Sequence, residues 1–188
     1  MSHTSSVNTA SGCRWVWAPL IALAATIASH AAWAQTAPSN PPPSPALPAY
    51  AMTGATLDGA PWSVAQAAGK VLMVFYFSTG CPVCMHKMPE LRANAAGWRG
   101  KPFELVMVNT DAKREDALAY ALAVRQVEPN AVRFTTLWAG DSQFRDTLAE
   151  RPKKLPLTLV VDSQGKLAKR YEGRMAPEAW DDVADLLP

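Results

Sequence analysis

The sequence predicts an α/β domain with a mixed central β-sheet flanked by helices and an N-terminal hairpin extension. Three observations carry that expectation. The runs at 71–77 (VLMVFYF), 104–109 (ELVMVN) and 157–161 (LTLVV) are apolar almost without alternation, as strands buried on both faces are. Between them lie segments with helical apolar spacing, so the order reads strand, helix, strand, helix. A hairpin and a last helix then close the chain, which makes the sheet mixed and not purely parallel.

Before the domain lies a segment of another kind. Arg14 is the only charged side chain ahead of Asp58, and it precedes an apolar run at 15–28 and the small-x-small triplet Ala32, Trp33, Ala34. That is the form of an export signal cleaved after Ala34. An uncleaved anchor stays open, because residues 15–34 match the roughly 20 residues a bilayer crossing needs. Cys13 precedes the apolar run, whereas a lipid-modified cysteine would follow it. Residues 35–49 contain six prolines and no charge, and read as an extended linker. The expected organisation is therefore signal or anchor at 1–34, linker at 35–49 and one domain at 50–188.

Within that domain, Asp58-Gly59 marks a turn in a hairpin over 55–64. The strand at 71–77 follows, then a helix over 84–96 in which Pro89 is placed to introduce a kink. A strand at 104–109, a helix at 114–126, a short strand at 134–137 and a short helix at 142–150 come next. The turn at 162–165 joins the strand at 157–161 to one at 167–171, and Pro177 introduces a helix over 178–187.

With 18 basic and 16 acidic side chains scattered along the 188 residues, no broad basic surface exists for nucleic acid. Removal of the leader would leave two cysteines and one histidine. The cysteines form Cys81-Pro82-Val83-Cys84, after a buried strand and at a helix start. A two-residue spacer lets the sulfurs meet within one turn. The helix end favours a thiolate, which is the attacking species. Cys81, nearer that end, is expected to attack a partner, and Cys84 to resolve the mixed disulfide.

Other readings of the pair stay open on these residues. Zinc would need two more ligands, and the mature chain offers only His86. A purely structural disulfide would close a very short loop for little entropic gain. Copper is a further alternative, since Met85, His86 and Met88 are soft or borderline ligands beside two thiols. Against it, His86 falls about 160° around the helix from Cys84.

Several motifs in order resemble the thioredoxin superfamily, in particular its exported TlpA/ResA-like thiol-disulfide oxidoreductases. They are Gly69-Lys70-Val71, the Cys81 to Cys84 motif, Met88-Pro89-Glu90-Leu91, Val108-Asn109 and Leu155-Pro156-Leu157-Thr158, with Gly165 and Gly173 beyond. The resemblance implies a thioredoxin-like fold for 50–188 and a cis Pro156 facing the active-site pair. The backbone of Leu155 would then be free to bind a substrate strand. It also implies no cofactor beyond the redox-active disulfide, a periplasmic location, and client proteins with cysteine pairs. Reduction of apocytochrome c or of copper-site thiols would draw electrons from a membrane-spanning disulfide reductase; an oxidase would be the redox partner if electrons ran the other way.

The departures from the pattern matter as much. Gly80 stands where the superfamily usually has tryptophan, and Phe75 where thioredoxins carry a buried acid. Lys87 stands where many ResA-like proteins place a glutamate. Lys87 is one turn from Cys84 and is expected to favour a thiolate, which would make the protein more oxidising. A copper-delivery protein, a thiol peroxidase and a non-catalytic binding module are the remaining alternatives; the usual peroxidatic Pro-x-x-x-Thr-x-x-Cys arrangement is missing.

Overall fold

The computed structural model describes residues 49–148 and 151–188. The segments expected to be an export signal and, for the most part, a linker lie outside the described residues. Among those residues no helix is long and apolar enough to cross a membrane.

The expected hairpin is formed by β1 (Met52–Ala55) and β2 (Pro61–Ser63), with Gly59 at φ 86° in the turn that reverses the chain. A short 3-10 turn, Val64–Ala67, leads to the central strand β3 (Val71–Phe77). Then come α1 (Pro82–Gly97), β4 (Phe103–Asn109), α2 (Arg114–Val127) and β5 (Thr135–Trp138). After β6 (Arg145–Asp146), β7 (Leu157–Val161) and β8 (Leu167–Glu172) make the second hairpin, and α3 (Ala179–Ala184) ends the fold.

The main sheet has the order β5-β4-β3-β7-β8, with β3, β4 and β5 parallel and β7 and β8 antiparallel to their neighbours. Alternation along β3 divides the core. Leu72, Val74 and Tyr76 face a cluster with Tyr50, Met52, Trp62 and Leu137, beneath the small sheet β2-β1-β6. Val71, Met73, Phe75 and Phe77 face the opposite cluster, where α1 contributes Cys84, Met88 and Leu91 and α3 contributes Ala179, Trp180 and Val183. The helices thus pack on one face, and the hairpin extension covers the other. Full burial of each such Leu, Met or Phe contributes roughly 1.5–3 kcal/mol, which anchors α1 over the end of β3.

Two expectations need correction. The helix expected at 142–150 is, in its described part, a set of turns around β6, which pairs antiparallel with β1. Phe144 and Leu148, four residues apart, both pack on the first cluster, so the spacing that suggested a helix is satisfied by a bent chain. Asp146 fixes that bend, accepting from Leu148 N at 3.0 Å and from the Tyr76 hydroxyl at 2.8 Å. Burial pushes the Tyr76 and Tyr50 hydroxyls well above the ordinary tyrosine range, and their oxygens lie 2.8 Å apart. The first helix also begins two residues earlier than expected and runs through the exposed Pro89.

Candidate active site

Cys81 sits at the N-cap of α1, in an extended conformation, and Pro82 occupies the first helical turn. Proline suits that position because its missing N–H is one the helix would leave unpaired anyway, and its φ is already helical. Cys81 and Cys84 are joined in a disulfide with their Cα atoms 5.2 Å apart. The Cys84 amide donates to Cys81 Sγ at 3.1 Å, so the cap's ordinary oxygen acceptor is replaced by sulfur. Cys84 is wholly buried in the second core cluster, whereas Cys81 is half-buried and Gly80 beside it is exposed. Chemically, such a pair can pass between disulfide and dithiol with one sulfur open to a partner.

The loop before Cys81 is braced from β4. Thr79 N donates to both oxygens of the Asp111 carboxylate, at 3.0 and 3.2 Å. Asp111 is held in turn by the buried Asn109, whose amide nitrogen donates to it at 2.8 Å, and by the Trp138 indole N–H, which donates to its carbonyl at 2.8 Å. The register Phe77↔Asn109 brings these groups level with the end of β3, where Thr110 N donates to Phe77 O at 2.8 Å. This brace was not foreseen from sequence. Its only signal was Asp111 two residues past Asn109 at a strand end, a spacing that permits a local side-chain turn.

Leu155-Pro156 is a cis peptide, as the resemblance implied. Pro156 is buried, and its carbonyl accepts from Gly173 N at 2.7 Å. Leu155 packs against both core clusters. Pro156 shares a cavity of about 150 Å3 with Val83 and His86 of α1 and with Met175, so the expected docking backbone and the start of the cysteine helix border one groove.

Lys87 departs from both readings a surface lysine invites. Its residue is only 7% exposed, and its ammonium is aimed away into a polar cluster. It donates to Met175 O at 2.8 Å and pairs with Glu90 Oε1 at 2.6 Å; the same oxygen accepts from the Trp180 indole N–H at 2.6 Å. A lysine this buried requires a partner, and Glu90 supplies it. The ammonium expected to act on Cys84 is therefore held in an ion pair with Glu90. Burial raises the Glu90 carboxyl, but the hydrogen bonds from Lys87 and Trp180 and the Lys87 charge outweigh it and hold the group below its ordinary range.

Where thioredoxins keep a buried acid, Phe75 is fully buried, and its cross-strand partner Thr158 has a buried hydroxyl with no hydrogen-bond partner among the described residues. Of the candidate copper ligands, Met88 is a core side chain and His86 is exposed, so the structure does not gather them. Among the described residues, no group of three or more His, Cys, Asp or Glu side chains is placed to hold a metal ion.

Comparison with known proteins agrees with this geometry. The profile of the Redoxin family matches residues 42–187, most of the chain. The thiol-disulfide oxidoreductase ResA of Halalkalibacterium halodurans is 22% identical over 131 residues, covering 70% of each chain. A thiol:disulfide interchange protein of Chlorobium tepidum superposes with a TM-score of 0.61 at 20% identity, over 77% of this chain and 99% of its own. StoA of Bacillus subtilis superposes with a TM-score of 0.55 at 17% identity, over 74% and 99%. With the family profile spanning the whole described fold and the cysteine pair at the head of α1, the chain belongs to the Redoxin family, as a TlpA/ResA-like oxidoreductase of the thioredoxin superfamily.

Proposed function

We propose that this protein exchanges disulfides with client proteins through Cys81 and Cys84, acting as an exported, periplasmic reductase in the maturation of cytochrome c or of copper-site thiols. The observation that carries the assignment of roles is unequal access: Cys81 is half-buried beside the exposed Gly80, and Cys84 is wholly buried. The Cys81 thiolate attacks a client disulfide, forming a mixed disulfide and releasing one client thiolate, which takes up a proton. The Cys84 thiolate then attacks Cys81 Sγ and releases the second client thiol. The client gains two electrons and two protons, and the protein is left as the Cys81–Cys84 disulfide. Leu155 and Pro156 offer the backbone along which the client segment lies, and no bound cofactor is required. A membrane-spanning disulfide reductase restores the dithiol.

The export reading is supported by the leader-like composition of residues 1–34, which lie outside the described structure. Trapping in growing cells tests the proposal. Cys84→Ser is expected to accumulate mixed disulfides through Cys81, and the native protein to be kept largely as the dithiol. Complexes that depend on Cys84 instead, or their complete absence, would overturn the roles; a native protein held as the disulfide would reverse the direction.

A further inference from the structure

The groove at Pro156 is rimmed by basic side chains from three separate segments. His86 of α1 and Arg174 line its cavity together with Pro156. On the far side of the same turn, a second hollow of about 420 Å3 is lined by Arg151, Lys153, Lys154 and Arg170, with Glu172. Lys154 connects the two. Its side chain lies over Gly173, where an added Cβ would come within 3.2 Å of Lys154 Cε and 3.6 Å of Nζ. Gly173 is itself tied to Pro156 by the 2.7 Å hydrogen bond, so Lys154 and Arg174 stand on either side of the backbone a client would meet.

The acids in these two hollows are already engaged. Glu90 holds Lys87 and Trp180, and Glu172 holds Arg170 at 2.8 Å. Lys154, Arg174 and His86 are exposed and form no ion pair or hydrogen bond among the described residues. Lys154 and Arg174 therefore present positive charge beside the groove with no acid paired to them among the described residues.

We propose that the preferred clients carry acidic side chains within a few residues of the cysteine that Cys81 attacks. This rests on the exchange reading above and adds a substrate class to it. An extended client strand advances about 3.3 Å per residue, so carboxylates one to three residues from its cysteine sample about 3–10 Å of the groove that Arg174 lines and Lys154 adjoins. Arg174 and Lys154 are exposed, so the gain lies in the rate of encounter; steering of this kind raises association by roughly 10- to 1,000-fold and fades with salt.

The test uses the reduced full-length chain and three synthetic peptides, each closed by one disulfide and differing only in whether aspartate, serine or lysine flanks the cysteines. At low ionic strength the aspartate peptide is expected to be reduced about tenfold faster than the serine peptide and the lysine peptide more slowly. The spread should collapse at roughly 1 M salt, where the screening length is about 3 Å. Lys154→Glu with Arg174→Glu should reverse the order, and the paired glutamine substitutions should erase it, each rate being read as a ratio to that of the serine peptide with the same variant. Equal rates for all three peptides, or an aspartate preference that survives charge reversal, would overturn the acidic-client proposal alone. Failure to reduce even the serine peptide would overturn the exchange reading and this proposal with it.

Discussion

Glu90→Gln isolates the charge of the buried pair from its shape. Glutamine keeps an oxygen for the Trp180 indole and for the Lys87 ammonium, but the ammonium loses its counter-charge. Lys87 is 9% exposed at its side chain and Glu90 38%. Breaking a fully buried pair costs about 3–5 kcal/mol, and an exposed one about 0–1. With one partner buried and the other more than a third open to water, screening discounts the larger figure, and a loss of about 1–2 kcal/mol is expected. For a domain of this size each kcal/mol shifts Tm by roughly 2–4 °C, so the variant should melt roughly 2–8 °C lower at pH 7.

The pH dependence makes the argument refutable. The Glu90 carboxyl titrates below its ordinary value of 4.5 in the fold. A depressed carboxyl contributes stability that is complete above the unfolded value and is lost as pH falls through the folded one. The gap between native protein and variant should therefore be full at pH 7 and narrow steadily below about pH 4.5. Calorimetric melts across that range check it. Lys87→Met is the companion: an apolar side chain of similar length fills the site without a buried charge, and is expected to cost far less than removing the acid. A gap that stays constant into acid, or a lysine variant that melts lower than the glutamate variant, would refute the pair as a source of stability.

Three further outcomes follow from the same geometry. Thr158→Val replaces an orphaned buried hydroxyl with a methyl group and should raise Tm, since an unsatisfied group of this kind costs about 1–3 kcal/mol; a lower Tm in melting curves would mean that the hydroxyl has a partner. Asp111→Ala removes the acceptor for Thr79 N and frees the Asn109 amide, so peptide-disulfide reduction should slow severalfold while Asp111→Asn loses less. The Cys81 thiol should titrate below 7 in an alkylation-rate series because it caps a helix, and Lys87→Met should leave that value in place; a value near 8.5 would deny the cap any influence.

The strands and the cysteine helix were legible because their signals are local. VLMVFYF can be buried on both faces only in the middle of a sheet, and helical spacing from Cys84 onward marks the helix, though not its start at Pro82. The segment around β6 was not legible for the opposite reason. Its conformation is set by Asp146 meeting Tyr76, 70 residues earlier, and by pairing with β1. Periodicity in Phe144 and Leu148 carries no trace of either. The brace at Thr79 belongs to the same class, since Asp111 reaches it across 32 residues of chain. The setting of Lys87 was not legible because its two partners lie on different scales. Glu90 is one turn away on the same helix, but the burial that makes the pair matter comes from Met175 and Trp180, some 90 residues later.

That pairing changes which features can set the direction of electron flow. A bare ammonium one turn from Cys84 would stabilise a thiolate and favour the reduced protein. An ammonium held at 2.6 Å by a carboxylate presents a dipole instead, whose field falls off faster with distance. The resemblance places an acid at position 87 in many relatives; here the acid lies one turn further along α1, facing a cation that occupies the usual place. The net charge of that helix face is thus close to zero. What remains to bias Cys81 is the helix end it caps and the Cys84 amide donated to its sulfur. Both act on every client alike and set the thiolate fraction. The exposed Lys154 and Arg174 are screened by salt and favour clients by charge. Redox poise and client choice therefore rest on separable groups, so that charge reversal at Lys154 and Arg174 should alter which disulfides are met, read as the ratio of aspartate-peptide to serine-peptide rates.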